Sequence, residues 1–178
     1  MHVSADPILR PFAWHDVPAI SAIYAHHVVH GVATFDTEVP SEAMMAHKFG
    51  TMIDLGHPVI VAERDGVLVG YAYASTYRPR FAYRFTCEDS VYLAPDATRQ
   101  GIGNLLLGKL IAESRAFGFN QMLAVITGGT AASIRLHEKH GFRTIGHYPE
   151  LGFKFDRWHD IVHMQLGLRE IRAEAAEG

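Results

Sequence analysis

Residues 88–108 read E-D-S-V-Y-L-A-P-D-A-T-R-Q-G-I-G-N-L-L-L-G. A strand-like apolar run ends at Leu93, a turn carries Pro95 and Asp96, and the pair Gly101 and Gly103 opens an apolar helix. Such a turn suits an anion. Glycine lets the backbone approach a ligand closely, and the first turn of a helix presents unpaired N–H groups at the positive end of its dipole. The residue types point to a diphosphate held by backbone amides.

Spacing separates the families that use such a turn. A dinucleotide fingerprint needs glycine at 106, where the chain has Leu106, and the acidic ribose partner about 20 residues on is missing. A Walker loop fits Gly103, Gly108 and Lys109, but Leu110 stands where a magnesium-binding Ser or Thr is required. Leu105, Leu106, Leu107, Leu110 and Ile111 instead form the apolar stripe of an amphipathic helix.

Outward from this stretch, the chain of 178 residues is 48% apolar, enough for one compact domain over residues 1–170 with a polar tail at 171–178. Sixteen Lys and Arg against 19 Asp and Glu, without clustering, leave no footprint for nucleic acid. No apolar run approaches the length of about 18 residues that a membrane span needs, and M-H-V-S-A-D-P lacks the layout of a signal segment. A single Cys87 suits a reducing cytoplasm. Twelve histidines raise the question of a metal, yet His137 and His140 are not spaced as H-E-x-x-H, and His159 and His163 on one strand stand about 13 Å apart. No metal site is expected.

Periodicity predicts a strand at 8–12, then a helix capped by Asp16 and closed at Gly31, and a second helix capped by Ser41. Strands at 59–63 and 67–74 join through Asp65-Gly66, the strongest short hairpin signal. A strand at 86–94 turns Glu88, Ser90 and Tyr92 to the face opposite Val91 and Leu93. A helix at 100–117 and a strand at 122–127 complete a parallel crossover. A helix at 131–140 ended by Gly141 and strands at 142–147 and 160–168 close the chain. The sum is a mixed α/β (α+β) fold, a mostly antiparallel sheet of about six to seven strands flanked by about four helices.

Thr98-Arg99-Gln100-Gly101-Ile102-Gly103 resembles the [Q/R]-x-x-G-x-[G/A] pattern of GNAT acetyltransferases, with Thr98 where that family prefers Gln or Arg. The order of elements matches the same superfamily over nearly the whole chain. Within it, A-T-F-D-T, E-D-S-V-Y-L, S-I-R-L-H-E-K-H-G-F and G-F-K-F-D-R-W-H-D resemble the phosphinothricin and methionine sulfone/sulfoximine N-acetyltransferases. The resemblance implies acetyl-CoA as cosubstrate, a small amino-acid-like acceptor, direct attack in a ternary complex, and a homodimer. Acetylation of another amine such as a peptide N-terminus, and silent acyl-CoA binding, are the alternatives.

Residue by residue, the resemblance places the pantetheine and diphosphate along Val91, Tyr92, Leu93, Arg99, Gln100, Gly101, Ile102, Gly103 and Asn104, with Thr130 in place of the usual Asn and Ser133 nearby. It makes Glu88 and His137 catalytic. An α-amine is largely cationic at neutral pH, so a carboxylate that takes its proton has a chemical task. The bland role for Glu88 is an ion pair with Arg84. Arg78 and Arg80 suit an acceptor carboxylate, with Lys154 and Trp158 contributed by the closing hairpin. Phe35 and Ser90 are further acceptor contacts, and Tyr83, Phe85 and Tyr92 are either pocket walls or core.

Overall fold

The computed structural model describes residues 6–169. One seven-stranded sheet runs in the order β1-β2-β3-β4-β5-β7-β6. The strands are β1 (Ile8–Pro11), β2 (Val59–Arg64), β3 (Val67–Thr76), β4 (Thr86–Leu93), β5 (Gln121–Thr127), β6 (Arg143–Lys154) and β7 (Arg157–Gly167). Every neighbouring pair is antiparallel except β4 and β5, which are joined by a helical crossover. The expected mixed fold and its element order are what the structure shows.

Helices α1 (Val17–His30) and α2 (Glu42–Asp54) cover one face, and α3 (Ile102–Phe117) and α4 (Ala131–Lys139) the other. The apolar stripe of α3, Leu106, Leu107 and Leu110, packs on Ile60, Ala72, Ala74 and Met122, whereas Leu105, expected in the same stripe, points away from the core and is exposed. On the opposite face Ile20, Phe49 and Met52 meet Val61, Tyr71 and Tyr92. The Walker alternative is thereby set aside: Gly108 lies inside α3 with His140 against it, and Lys109 pairs with Glu113 one turn on.

Local chemistry accounts for the boundaries. The Ser41 hydroxyl accepts the Met44 N–H and starts α2. Asp65 and Gly66 both take positive φ, 51° and 77°, as a two-residue hairpin turn requires. Gly141 at φ 87° follows α4.

Three expectations need correction. Asp16 does not cap α1 with its side chain; its carboxylate grips both terminal nitrogens of Arg10 at 2.7 and 2.8 Å and accepts the Ala13 N–H. Gly31 is extended at φ −132°, so it ends α1 without a left-handed turn. The closing strands are longer than read, because Phe155 and Asp156 form a tight turn in left-handed conformations and a bulge near Glu150 carries β6 past Pro149. The polar tail from residue 170 lies outside the described residues.

Asp16 is buried and holds β1 to the start of α1, while Arg10 also reaches Glu63 at 2.9 Å. Burial alone raises the Asp16 carboxyl pKa, but hydrogen bonds and charge from Arg10 lower it on balance. Its stabilisation is therefore complete above the ordinary carboxylate range and is lost as pH falls through its lowered value. Asp16→Asn is expected to cost about 2–3 kcal/mol of unfolding free energy at pH 7, with the difference from wild type shrinking at acid pH. Urea titrations at several pH values measure this; equal stabilities at pH 7 would refute the clamp.

Candidate active site

The two central strands bond to each other over only three register pairs, Thr86↔Gln121, Cys87↔Met122 and Glu88↔Leu123. Beyond Glu88 they part, β4 staying with β3 up to Leu93 and β5 staying with β7 up to Thr127. Ala94 donates to the Val69 carbonyl, so the even-numbered residues of β4 bond to β3 and Val91 and Leu93 turn their amides toward β5. The same alternation on β5, set by Leu168 donating to Asn120, turns Val125 and Thr127 toward β4. A wedge bordered by strand N–H and C=O groups results, and a cleft of ≈ 730 Å³ occupies it.

The helices close the wedge. At its base Arg99 and Gly101 have φ of 60° and 82°, and Gly101 accepts from Asn104 and Leu105 as α3 begins. The N–H groups of Ile102 and Gly103 are left without intrahelical partners. A Cβ on Gly101 would meet nothing within 4 Å, so this turn faces open space. Thr130, Ser133, Leu136 and His137 of α4 form another wall. An extended amide-bearing arm between the strands with a diphosphate at the α3 turn fits these donors and acceptors.

The cleft brings together most of the sequence-predicted residues: Phe35, Glu88, Ser90, Val91, Tyr92, Leu93, Arg99, Gly101, Gly103, Asn104, Thr130, Ser133 and His137. Others play different parts. Ile102 is fully buried in the core, so only its amide is available. Gln100 uses its side chain to link Arg64 with the Asp96 carbonyl. The Asn104 side chain accepts from His140 at 3.1 Å. Tyr92 stacks on Tyr71 and pairs with it across the sheet, so its backbone belongs to β3. Lys154 is buried, donating to the carbonyls of Gly31 and Thr34, and Trp158 lines a separate hollow behind β7. Arg78 and Arg80 are exposed on the loop after β3, outside the cleft lining.

Glu88 and His137 lie on opposite faces of β4. Glu88 is half-buried, and among the described residues no cation stands within ion-pair distance of it. Arg84 instead rests on the rings of Phe81 and Phe85 at 4.2 and 4.3 Å. Burial and the neighbouring Asp89 raise the Glu88 pKa, more than Arg78 and Lys48 lower it. His137 holds the Asp89 carboxylate at 2.8 Å through Nε2 and the Ser133 carbonyl at 2.7 Å through Nδ1. Both nitrogens face acceptors, which favours the doubly protonated ring. Burial opposes that charge, but Asp89 and the Ser133 carbonyl outweigh it and the pKa is raised.

Sequence reasoning missed Asp89, whose position next to Glu88 was visible but whose partner on α4 was not. It also missed His27 of α1, which donates to the Leu93 carbonyl at 2.8 Å and borders the cleft. Helix periodicity gave no sign that His27 would reach β4.

Parted parallel strands, a glycine turn at a helix start and an unpaired carboxylate beside the wedge define an acyl-transfer enzyme fed by an acyl-CoA. Residues 25–142 match the acetyltransferase (GNAT) family. The chain is 51% identical to the phosphinothricin N-acetyltransferase of Alcaligenes faecalis over 86% of its own length and 78% of that protein's. It is 41% identical to the L-methionine sulfoximine/L-methionine sulfone acetyltransferase of Salmonella typhimurium over 90% and 94% of the two chains. A crystal structure of a GNAT superfamily phosphinothricin acetyltransferase from Sinorhizobium meliloti in complex with AcCoA superposes with a TM-score of 0.90 at 44% identity, covering 92% of this chain and 89% of that one. The chain belongs to the GNAT family and is an acetyl-CoA-dependent N-acetyltransferase.

The turn at Gly101 gives the first test of the cleft. An alanine there takes on the strain of a positive φ, about 1–2 kcal/mol, and adds a methyl on the open side. Gly101→Ala is expected to weaken coenzyme A binding by about tenfold or more in calorimetry. Unchanged affinity would mean that the diphosphate lies elsewhere.

Proposed function

We propose that this enzyme, acting through a single domain spanning residues 1–170, acetylates the α-amino group of a small amino acid or analogue, of the phosphinothricin or methionine sulfone/sulfoximine kind. The observation that carries this reading is Glu88, an unpaired carboxylate with raised pKa at the lip of the wedge. The α-ammonium gives its proton to Glu88 directly or through one water, and the free amine attacks the thioester carbonyl; the C–N bond forms as the C–S bond breaks, and the coenzyme A thiolate leaves with the second proton that the amine sheds. Acetyl-CoA, when bound between β4 and β5, supplies the acetyl thioester. The amides of Val91 and Leu93 are fixed donors for carbonyl oxygens in the wedge. His137, whose ring nitrogens face Asp89 and the Ser133 carbonyl, keeps Asp89 in place on the other face of β4 and gives up a proton only by opening one of these bonds. The amine attacks the thioester directly in this reading, and the lone Cys87 is a poor nucleophile, since burial and Asp89 push its thiol up to about 12.

Arg78 supplies positive charge beside Glu88 and suits the acceptor carboxylate, with Arg80 two residues on in the same loop. Phe35 and Ser90 border the acceptor end. The reading also includes a cytoplasmic homodimer. The buried lone thiol suits a reducing compartment. Ile145, Leu151, Phe153, Phe155 and Trp158 are exposed together on the β6–β7 hairpin, which ends the sheet, and this supports self-association there.

Glu88→Gln is expected to lower kcat/KM for methionine sulfone about 100-fold at pH 7 in a thiol-release assay, with the deficit narrowing as pH rises and the amine arrives unprotonated. Because the Glu88 pKa is raised, the wild-type acid limb should fall at a pH above the ordinary carboxylate value. A glutamine variant that matches wild type across the pH range would remove Glu88 as base. For the dimer, Leu151→Asp combined with Phe153→Ser is expected to convert the species seen by light scattering from two chains to one. A wild-type protein already monomeric at micromolar concentration would end that part of the reading.

A further inference from the structure

Lys48 sits exposed on α2, whose position is fixed by the buried Met45 and Phe49 on either side of it. Its ammonium donates to the Tyr73 hydroxyl at 2.8 Å and lies 4.9 Å from the Tyr73 ring and 5.4 Å from the Tyr24 ring. Tyr73 is the cross-strand partner of Ser90, two residues along β4 from Glu88 and on the same face. Tyr24 donates to Asp36 at 2.6 Å and contacts Thr34, on the loop whose Phe35 lines the cleft. Lys48 is therefore linked through Tyr73 to the Glu88 strand and through Tyr24 to the Phe35 loop, at the margin of the cleft and not in its lining.

An ammonium has three donors, and Tyr73 takes one. Among the described residues no carboxylate lies within 4.0 Å of Lys48. The Tyr73 hydroxyl, which accepts this bond, keeps its own proton to donate. Arg78, exposed on the loop after β3, is near enough for its charge to act on Glu88 and also on His163 of β7. With the amine at Glu88, one cation is placed for the α-carboxylate and a second for whatever ends the acceptor side chain.

We propose that Lys48 and Tyr73 form a second anion subsite, which makes the enzyme favour amino acids whose side chain ends in an acidic group over those with a neutral polar end. This rests on the acceptor reading given above. Phosphinothricin, with its anionic phosphinate, and methionine sulfone, with a neutral sulfone, are the two probes.

Steady-state kinetics of wild type, Lys48→Met, Lys48→Arg and Tyr73→Phe with both acceptors test it. Lys48→Met is expected to lower the ratio of kcat/KM for phosphinothricin to that for methionine sulfone about tenfold, chiefly through KM. Lys48→Arg should restore most of the ratio. Tyr73→Phe, which keeps the packed ring, should move it in the same direction by less. Equal losses on both acceptors with a shifted acid limb of kcat would show that Lys48 acts only on Glu88 and would overturn the subsite, as would an unchanged ratio. Wild-type enzyme inert toward both amino acids would overturn the acceptor reading and the subsite with it.

Discussion

Beyond Glu88 the two parallel strands at the centre of the sheet stop bonding to each other, and the rest of the site depends on that parting. A strand amide left without a partner inside a protein costs free energy, so the wedge is tolerable where it meets water or a ligand with amides of its own. β7 holds β5 along its whole length and β3 does the same for β4, so each strand is anchored on its outer side. Gly70 helps set the outer limit: a Cβ there would meet the Leu93 side chain at 2.6 Å and the Tyr92 carbonyl at 3.0 Å. A side chain at that position would push the wall of the cleft inward.

Because successive side chains leave a strand on opposite faces, the adjacent carboxylates Glu88 and Asp89 live in different surroundings. Asp89 is buried and paired with His137; Glu88 is half-buried and has no ion-pair partner among the described residues. The negative charge of Asp89 adds to burial in raising the affinity of Glu88 for a proton. Environments that differ this way assign the chemistry: a paired carboxylate fixes a donor, and an unpaired one accepts. A single strand thus presents a paired carboxylate on one face and an unpaired one on the other.

Local chemistry was legible wherever it acted within a few residues. Asp65-Gly66, the Ser41 cap, the α3 stripe and Gly141 each fix their own backbone, and each was readable. The glycine turn and the period-two face of β4 carried most of the cleft for the same reason. What the sequence hid was long-range. Asp16 has the composition of a helix cap, but Arg10, six residues back on β1, draws its carboxylate away. The last hairpin turns on Phe155 and Asp156, residue types that do not announce left-handed conformations, so the strands looked shorter than they are. Asp89 and Lys48 were unremarkable until α4 and α2 were packed against the sheet.

Lys154 illustrates how a charged residue in a family motif can act one step from the chemistry. Its ammonium is buried against the Gly31 and Thr34 carbonyls, and burial lowers its pKa despite the pull of Asp36. A further contact ties the same strand to the same loop, since Gly152 lies directly beneath the Phe35 ring, where any Cβ would collide; within the hairpin, His159 closes onto the Lys154 carbonyl at 2.9 Å. The hairpin therefore helps set the position of Phe35, which lines the cleft. A lysine solvated at the surface would cost that loop two hydrogen bonds, leaving those of Tyr24 with Thr34 and Asp36 and of Thr127 with the Val32 carbonyl. Buried under two carbonyls, it ties β6 to the Phe35 wall while remaining outside the cleft itself.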